Sequence, residues 1–149
     1  MRGKWWLAMG AFLGFASVGL GAFGAHGLKT SLRNGALAPD EQERRLENWE
    51  TAARYQMYHA LALVCVGTIA AGRPRRVFDV AAVSFCCGVT VFSGCLYAYV
   101  LTGSKAWAMI VPVGGVLLLV GWLALLVGSV LPAPAAAQDD RRTQAGGPR

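Results

Sequence analysis

Charged side chains break this sequence at only a few places. No Asp, Glu, Lys or Arg occurs between Lys4 and Lys29, between Arg54 and Arg73, between Asp79 and Lys105, or between Lys105 and Asp139. A helix needs roughly 17–25 predominantly apolar residues to cross a hydrocarbon core about 30 Å thick, and each of the four intervals is long enough for one crossing. The predicted fold is therefore an all-α membrane protein, a bundle of four transmembrane helices with spans at about 5–23, 53–71, 78–101 and 106–131. Residues 1–132 make the four-helix transmembrane domain. Residues 133–149 are Pro/Ala-rich and then polar, and are expected to form a disordered cytoplasmic tail.

Local signals refine the connectors. Asn34-Gly35 predicts a turn in the first connector, from Gly24 to about Pro39. Asp40 and Glu43 have the spacing of a capping box. Glu41 precedes Arg45, and Glu50 precedes Arg54, by four residues, the favourable order for ion pairs along a helix. One helix is thus predicted from about Glu41 to Ala71. At 1.5 Å per residue it would be ~46 Å long, so its first turns must lie outside the hydrocarbon. The loop "GRPRR" is short and strongly basic, and "TGSK" is a tight turn. Pro112, with Gly114 and Gly115 nearby, predicts a kink near the start of the last helix.

Glycine spacing identifies where helices should meet. Gly10 and Gly14 form a G-x-x-x-G pair, and Ser17, Gly21 and Gly24 extend a small-residue surface along the first span. Small residues let backbones approach closely where lipid removes the hydrophobic drive for association. Gly10, Gly14, Gly21 and Gly24 are the predicted packing positions. Gly121 and Gly128, one heptad apart, are a second candidate seam.

Composition agrees with this reading. Apolar residues are 55% of the 149 and charged residues 15%, against roughly 45–50% and about 25% in soluble domains. The net charge of +6 forms no basic stripe of the kind that binds nucleic acid. The cations instead flank the apolar intervals, and their distribution orients the chain. Arg2, Lys4, Arg73, Arg75, Arg76, Arg141, Arg142 and Arg149 would share one side, against Lys29, Arg33, Arg44, Arg45 and Lys105 on the other, so both termini are expected in the cytoplasm. The segment from Met1 to Gly27 also has the layout of a cleaved signal peptide. Its apolar stretch is long enough to span, which favours a retained helix.

Few residues offer chemistry. His26 follows the first span and His59 lies about one turn inside the second. Tyr55 and Gln56 precede His59 by four and three residues and share its face. His26, Tyr55, Gln56 and His59 are therefore predicted to meet at one membrane boundary, as a structural or binding cluster. The readings open for it are hydrogen-bonded glue between helices and a ligand or proton-handling site. Two histidines without a carboxylate are a poor metal ligand set. Cys65, Cys86, Cys87 and Cys95 all fall in predicted spans and act as small apolar residues. Asp79, following Arg73, Arg75 and Arg76, is expected to form an ion pair at the cytoplasmic edge. No nucleophile–base pair, phosphate-binding glycine loop or cofactor motif is present, so no catalytic residue, cofactor or metal is assigned.

Two strings, "GAFGAHGLK" at 21–29 and "WETAARYQMYHALAL" at 49–63, together resemble the signature of the YgdD/YwdK-like small integral membrane proteins, a family of unknown function (DUF 423). The resemblance runs from about Trp5 to Leu131. It implies four spans in the bacterial inner (plasma) membrane, and it marks Gly21, Gly24, His26, Gly27, Thr51, Tyr55, Gln56 and His59 as motif positions without a catalytic role for any. The expected function is that of a non-enzymatic binding, scaffold or accessory subunit, whose partners are the lipid bilayer and a membrane protein or further copies of itself. The alternative is a small oligomeric transporter or channel, motivated by the Gly-rich helices and Pro112.

Overall fold

In the computed structural model, which describes residues 2–35, 37–73 and 75–132, every regular element is helical. Helix α1 (Arg2–Phe23) passes through a π-turn (Gly24–Leu28) into the short α2 (Lys29–Arg33). The long α3 (Pro39–Gly72), α4 (Arg76–Thr102) and α5 (Lys105–Val130) follow. Three stretches, Gly3–Arg33, Arg76–Thr102 and Lys105–Val130, are long and apolar enough to cross a membrane.

The first helix does not stop near Phe23. It continues to Arg33, and the connector shrinks to the residues around Gly35. The cause is a second apolar stripe: Leu28 and Leu32, four residues apart, are buried with Trp49, Tyr99 and Val100, while Lys29, Thr30, Ser31 and Arg33 face outward. The turn at Asn34-Gly35 then closes the helix, with the Asn34 N–H on the Thr30 carbonyl and the Gly35 N–H on that of Leu32.

Helix α3 begins one residue before the anticipated capping box. Pro39 takes its first position, where a missing N–H costs nothing and the fixed φ is already helical. Asp40 is therefore inside the first turn and makes no side-chain cap. There it and Glu41 face the positive end of the helix dipole. Arg45 donates from Nε to Glu41 Oε1 (2.8 Å), and Arg54 pairs with Glu50. Arg45 also donates from Nη1 to the Val100 carbonyl (3.1 Å), covering the end of α4. That helix closes on Gly103 at φ 73°, a left-handed cap that glycine adopts without steric cost.

Helices α3 and α4 form the central pair, with α1 laid on α3 and α5 on α4. The core is Leu63, Val66, Phe78, Ala81, Ala82 and Phe85 with their neighbours. Helices α1 and α3 run antiparallel at backbone contact. A Cβ on Gly3 would lie 2.6 Å from the Ala71 nitrogen, one on Gly67 2.5 Å from the Leu7 nitrogen, and one on Gly10 2.8 Å from the Ala60 carbonyl oxygen. Gly24 faces Trp49 as closely, at 2.4 Å from Cδ1. Gly14 makes only ordinary contact with Ala60 and Met57, and Gly21 has open space where a side chain would be.

Helices α4 and α5 meet through a seven-residue repeat. Gly114, Gly121 and Gly128 receive Phe92, Phe85 and Phe78, and Leu118 fills the notch at Gly88. The heptad keeps the seam in register along both helices. Helix α5 runs unbroken through Pro112. Outward faces are strongly apolar: Phe15 is 80% exposed and Leu119 69%, and Phe12, Met109, Leu123 and Leu126 are exposed with them. Soluble monomers rarely expose contiguous apolar patches beyond a few hundred Å².

Gly114→Ala and Gly67→Ala place a methyl against a neighbouring backbone and should each destabilise the bundle by about 1–3 kcal/mol. Gly19→Ala, in open space, should be neutral or stabilising by up to ~1 kcal/mol. Detergent unfolding curves of the three variants check this ordering.

Candidate functional site

The polar groups that α3 carries into the apolar bundle are concentrated between Trp49 and His59. Its buried face presents Trp49, Ala52, Ala53, Gln56, His59 and Ala60, at the spacing that stacks side chains on one helical stripe. The alanines leave the α3 backbone within reach of its neighbours. Ser17 of α1 donates to the Ala53 carbonyl (2.8 Å), and Ser93 of α4 donates to the adjacent Ala52 carbonyl (2.8 Å). Two consecutive carbonyls of one helix are thus bound by two different helices.

Gln56 continues this layer. Its Nε2 donates to the Leu13 carbonyl of α1 (3.0 Å), and its Oε1 accepts from the Tyr97 hydroxyl of α4 (3.2 Å). Trp49 does the same at the far end, with Nε1 donating to the Leu20 carbonyl (2.8 Å) just ahead of the π-turn. A side chain inserted beside the hydrogen-bond ladder is a recognised cause of such irregularities.

His59 reaches the fourth helix. Its Nδ1 lies 2.7 Å from the Tyr55 carbonyl of its own helix, and its Nε2 lies 3.2 Å from the Trp122 indole nitrogen of α5. These partners assign the ring. An indole N–H only donates and a carbonyl only accepts, so Nε2 is the acceptor and Nδ1 carries the hydrogen. The imidazole is the neutral Nδ1–H tautomer, and a proton on Nε2 would face the indole N–H and break the bond. Phe85 lies against the ring at 5.5 Å between centroids. Tyr55 stands beside it, stacked on Phe92 at 4.6 Å and partly open to the outside.

Of the four residues grouped from sequence, Tyr55, Gln56 and His59 come together and His26 does not. The His26 ring is exposed on the π-turn, where the backbone accepts from Thr30 Oγ1. The antiparallel register explains the separation. Gln56 is level with Leu13, and thirteen residues of helix from Leu13 to His26 amount to about 20 Å. The end of α1 meets Trp49 instead.

The arginine-rich loop and the start of α4 tie the helices together at the opposite end. Asp79 accepts from the Trp6 indole (2.9 Å), linking α4 to α1. Arg75 donates from Nη1 to the Gly128 and Leu131 carbonyls (both 3.0 Å) and also binds the Pro132 carbonyl. It thereby covers the negative end of α5.

The sequence reading missed Ser17, Ser93, Tyr97 and Trp122 as members of this layer. Each is a polar group inside an apolar interval, and that is a signal, but their partners lie 36 to 63 residues away. Among the described residues, no buried side-chain nitrogen or oxygen lacks a partner. No group of three His, Cys, Asp or Glu side chains is arranged to hold a metal among them either.

Known proteins resemble this chain over most of its length. The family described as "Protein of unknown function (DUF423)" matches residues 20–115, which include the π-turn and the α3 polar layer. A "UPF0382 membrane protein" of Staphylococcus saprophyticus is 40% identical over 126 residues, covering 85% of this chain and 97% of the relative. One from Haemophilus influenzae is 37% identical over 130 residues, covering 87% and 95%. The "UPF0382 inner membrane protein YgdD" of Escherichia coli is 35% identical over 131 residues, covering 87% and 92%. No solved structure matches.

The Trp122–His59 bond should register as a coupling. In a double-mutant cycle of His59→Ala and Trp122→Phe, followed by unfolding in mild detergent, the interaction energy should fall between about 0.6 and 1.7 kcal/mol, the range for hydrogen bonds between membrane helices. A value of zero would remove this bond as a tie between α3 and α5.

Proposed function

The chain belongs to the DUF423 family of proteins of unknown function, and from that membership we propose that it is a four-span protein with a non-catalytic binding or accessory role. It is an integral membrane protein. The Escherichia coli relative is named an inner membrane protein, and the bacterial inner (plasma) membrane is the location of this chain too.

The fourth span is α3. Its polar face lowers its hydropathy, but it is sheltered between α1 and α4, so it meets less lipid. The antiparallel register supports this reading: α1 crosses with Gly3 beside Ala71 and Leu20 beside Trp49, which carries residues 49–71 of α3 through the same depth. The end holding Lys4, Arg73, Arg75 and Arg76 then faces the cytoplasm by the excess of cations. The predicted cytoplasmic tail at 133–149 lies outside the described residues.

One observation carries the functional reading. The polar groups of the α3 layer are engaged with other helices: Gln56 bridges α1 and α4, and both nitrogens of His59 are occupied. Such a layer holds four helices in one arrangement. What remains open to a partner is the rim beside it, Tyr55 and Tyr58, both exposed, together with the extramembrane cap built on Leu28, Leu32 and Trp49.

Two measurements test this. In a cysteine-free background, Ser31→Cys and Ser104→Cys should react with an impermeant maleimide in intact cells, and Gly72→Cys only after the membrane is opened. Labelling of positions 31 and 72 from one side would remove the four-span topology. His59→Ala should lower the recovered amount of the protein or of its membrane partner. Solute or proton flux in proteoliposomes that vanishes with His59→Ala would replace the accessory role with transport.

A further inference from the structure

A cleft opens between the ends of α3 and α5, on the side of the arginine-rich loop. It has a volume of about 420 Å³ and is lined by Thr68, Ile69, Gly72, Arg73, Phe78 and Ser129. Its lining is mixed in character. Ile69 and the edge of Phe78, a side chain only 1% exposed, are its apolar lining. Thr68 and Ser129 add hydroxyls whose protons are donated to their own helices, at the Val64 and Leu125 carbonyls (2.9 and 2.8 Å). The Arg73 side chain stands at the rim, exposed.

Charge at this rim is net positive, with Asp79 as its one carboxylate among the described residues. Helix C-termini repel anions, and both α3 and α5 end here; at α5 the Arg75 guanidinium covers the Gly128, Leu131 and Pro132 carbonyls. Arg73 and Arg76 have no acidic partner among the described residues, and Asp79 receives the Trp6 indole. Lys4 and Trp5 are exposed on the same end, beside Gly3, which touches Ala71. An indole next to a cation is a residue pair suited to the headgroup level.

We propose that this cleft is a binding site for an anionic phospholipid, with the headgroup phosphate on Arg73 and an acyl chain along Ile69. The match is of two chemistries in one cleft. A phospholipid carries its negative charge directly above its apolar chains, with polar ester linkages between. The cleft offers the same components, a guanidinium at its rim with hydroxyls and hydrocarbon beside it. Basic pockets between membrane helices on the cytoplasmic side are suited to such headgroups. The proposal rests on the four-span reading, which sets the cleft at the level of the cytoplasmic leaflet.

The test uses the full chain in mild detergent, offered equal amounts of phosphatidylglycerol and phosphatidylcholine with matched acyl chains, and read by native mass spectrometry. The intact protein should retain phosphatidylglycerol about fivefold over phosphatidylcholine, the preference one interfacial arginine supplies. Arg73→Gln should bring the ratio near one. Ser129→Phe, which fills the cleft, should reduce retention of both lipids. Arg33→Gln, at the opposite end, should leave the ratio unchanged. An unaltered ratio in Arg73→Gln, or equal retention by the intact protein, overturns the site. Displacement of the lipid by millimolar inorganic phosphate also overturns it, in favour of a free-anion site. If the lipid preference is missing while Ser31→Cys and Gly72→Cys still label from opposite faces, the lipid site alone fails. If they label from one face, both readings fail.

Discussion

A polar group inside hydrocarbon must find its partner within the protein, because no water is there to supply one. The rest of this bundle follows from how α3 meets that demand. It brings an amide, an imidazole and two serine-bound carbonyls into the apolar interior, and their partners lie on α1, α4 and α5. Bonds between membrane helices average only about 0.6 kcal/mol each. The layer therefore contributes more to selecting one arrangement than to total stability: a shifted helix would leave several buried groups unmatched at once.

The second constraint is contact distance. Helices that share lipid as solvent gain little from hiding apolar surface, so close packing must hold them. The chain achieves this differently on its two sides. Helices α1 and α3 touch backbone to backbone at Gly3, Gly10 and Gly67, whereas α4 and α5 seat phenylalanine rings over Gly114, Gly121 and Gly128. The first arrangement brings the Ser17 hydroxyl and the Leu13 carbonyl within bonding range of α3. The second leaves α5 displaced from α3, so that only a side chain as long as Trp122 reaches His59. Packing and hydrogen bonding are thus one design, in which glycine placement decides which polar groups can meet.

This organisation also divides the molecule by role. The middle is occupied with its own contacts. The ends carry what is left over: exposed tyrosines and the α2 cap at one, and at the other an arginine-rich rim in which Arg75 closes a helix while Arg73 borders an open cleft.

The helices were legible in the sequence because hydrocarbon imposes a simple rule on composition. Four charge-free intervals, the early start of α3, and the Glu41–Arg45 and Glu50–Arg54 pairs all follow from local spacing. The continuation of α1 into α2 was legible too, through Leu28 and Leu32, but the glycines around His26 concealed it. Which groups meet was decided only by the tertiary structure. Gly21 and Gly24 look equivalent in sequence, yet one faces open space and the other Trp49. His26 and His59 lie in the two paired strings and are held about 24 Å apart by helix rise. Asp79 accepts from Trp6 across 73 residues of sequence, and Arg75 covers the end of α5. Local spacing determines where a chain is helical and which stripe is polar; the register between helices, set by where two backbones can touch, determines the partner.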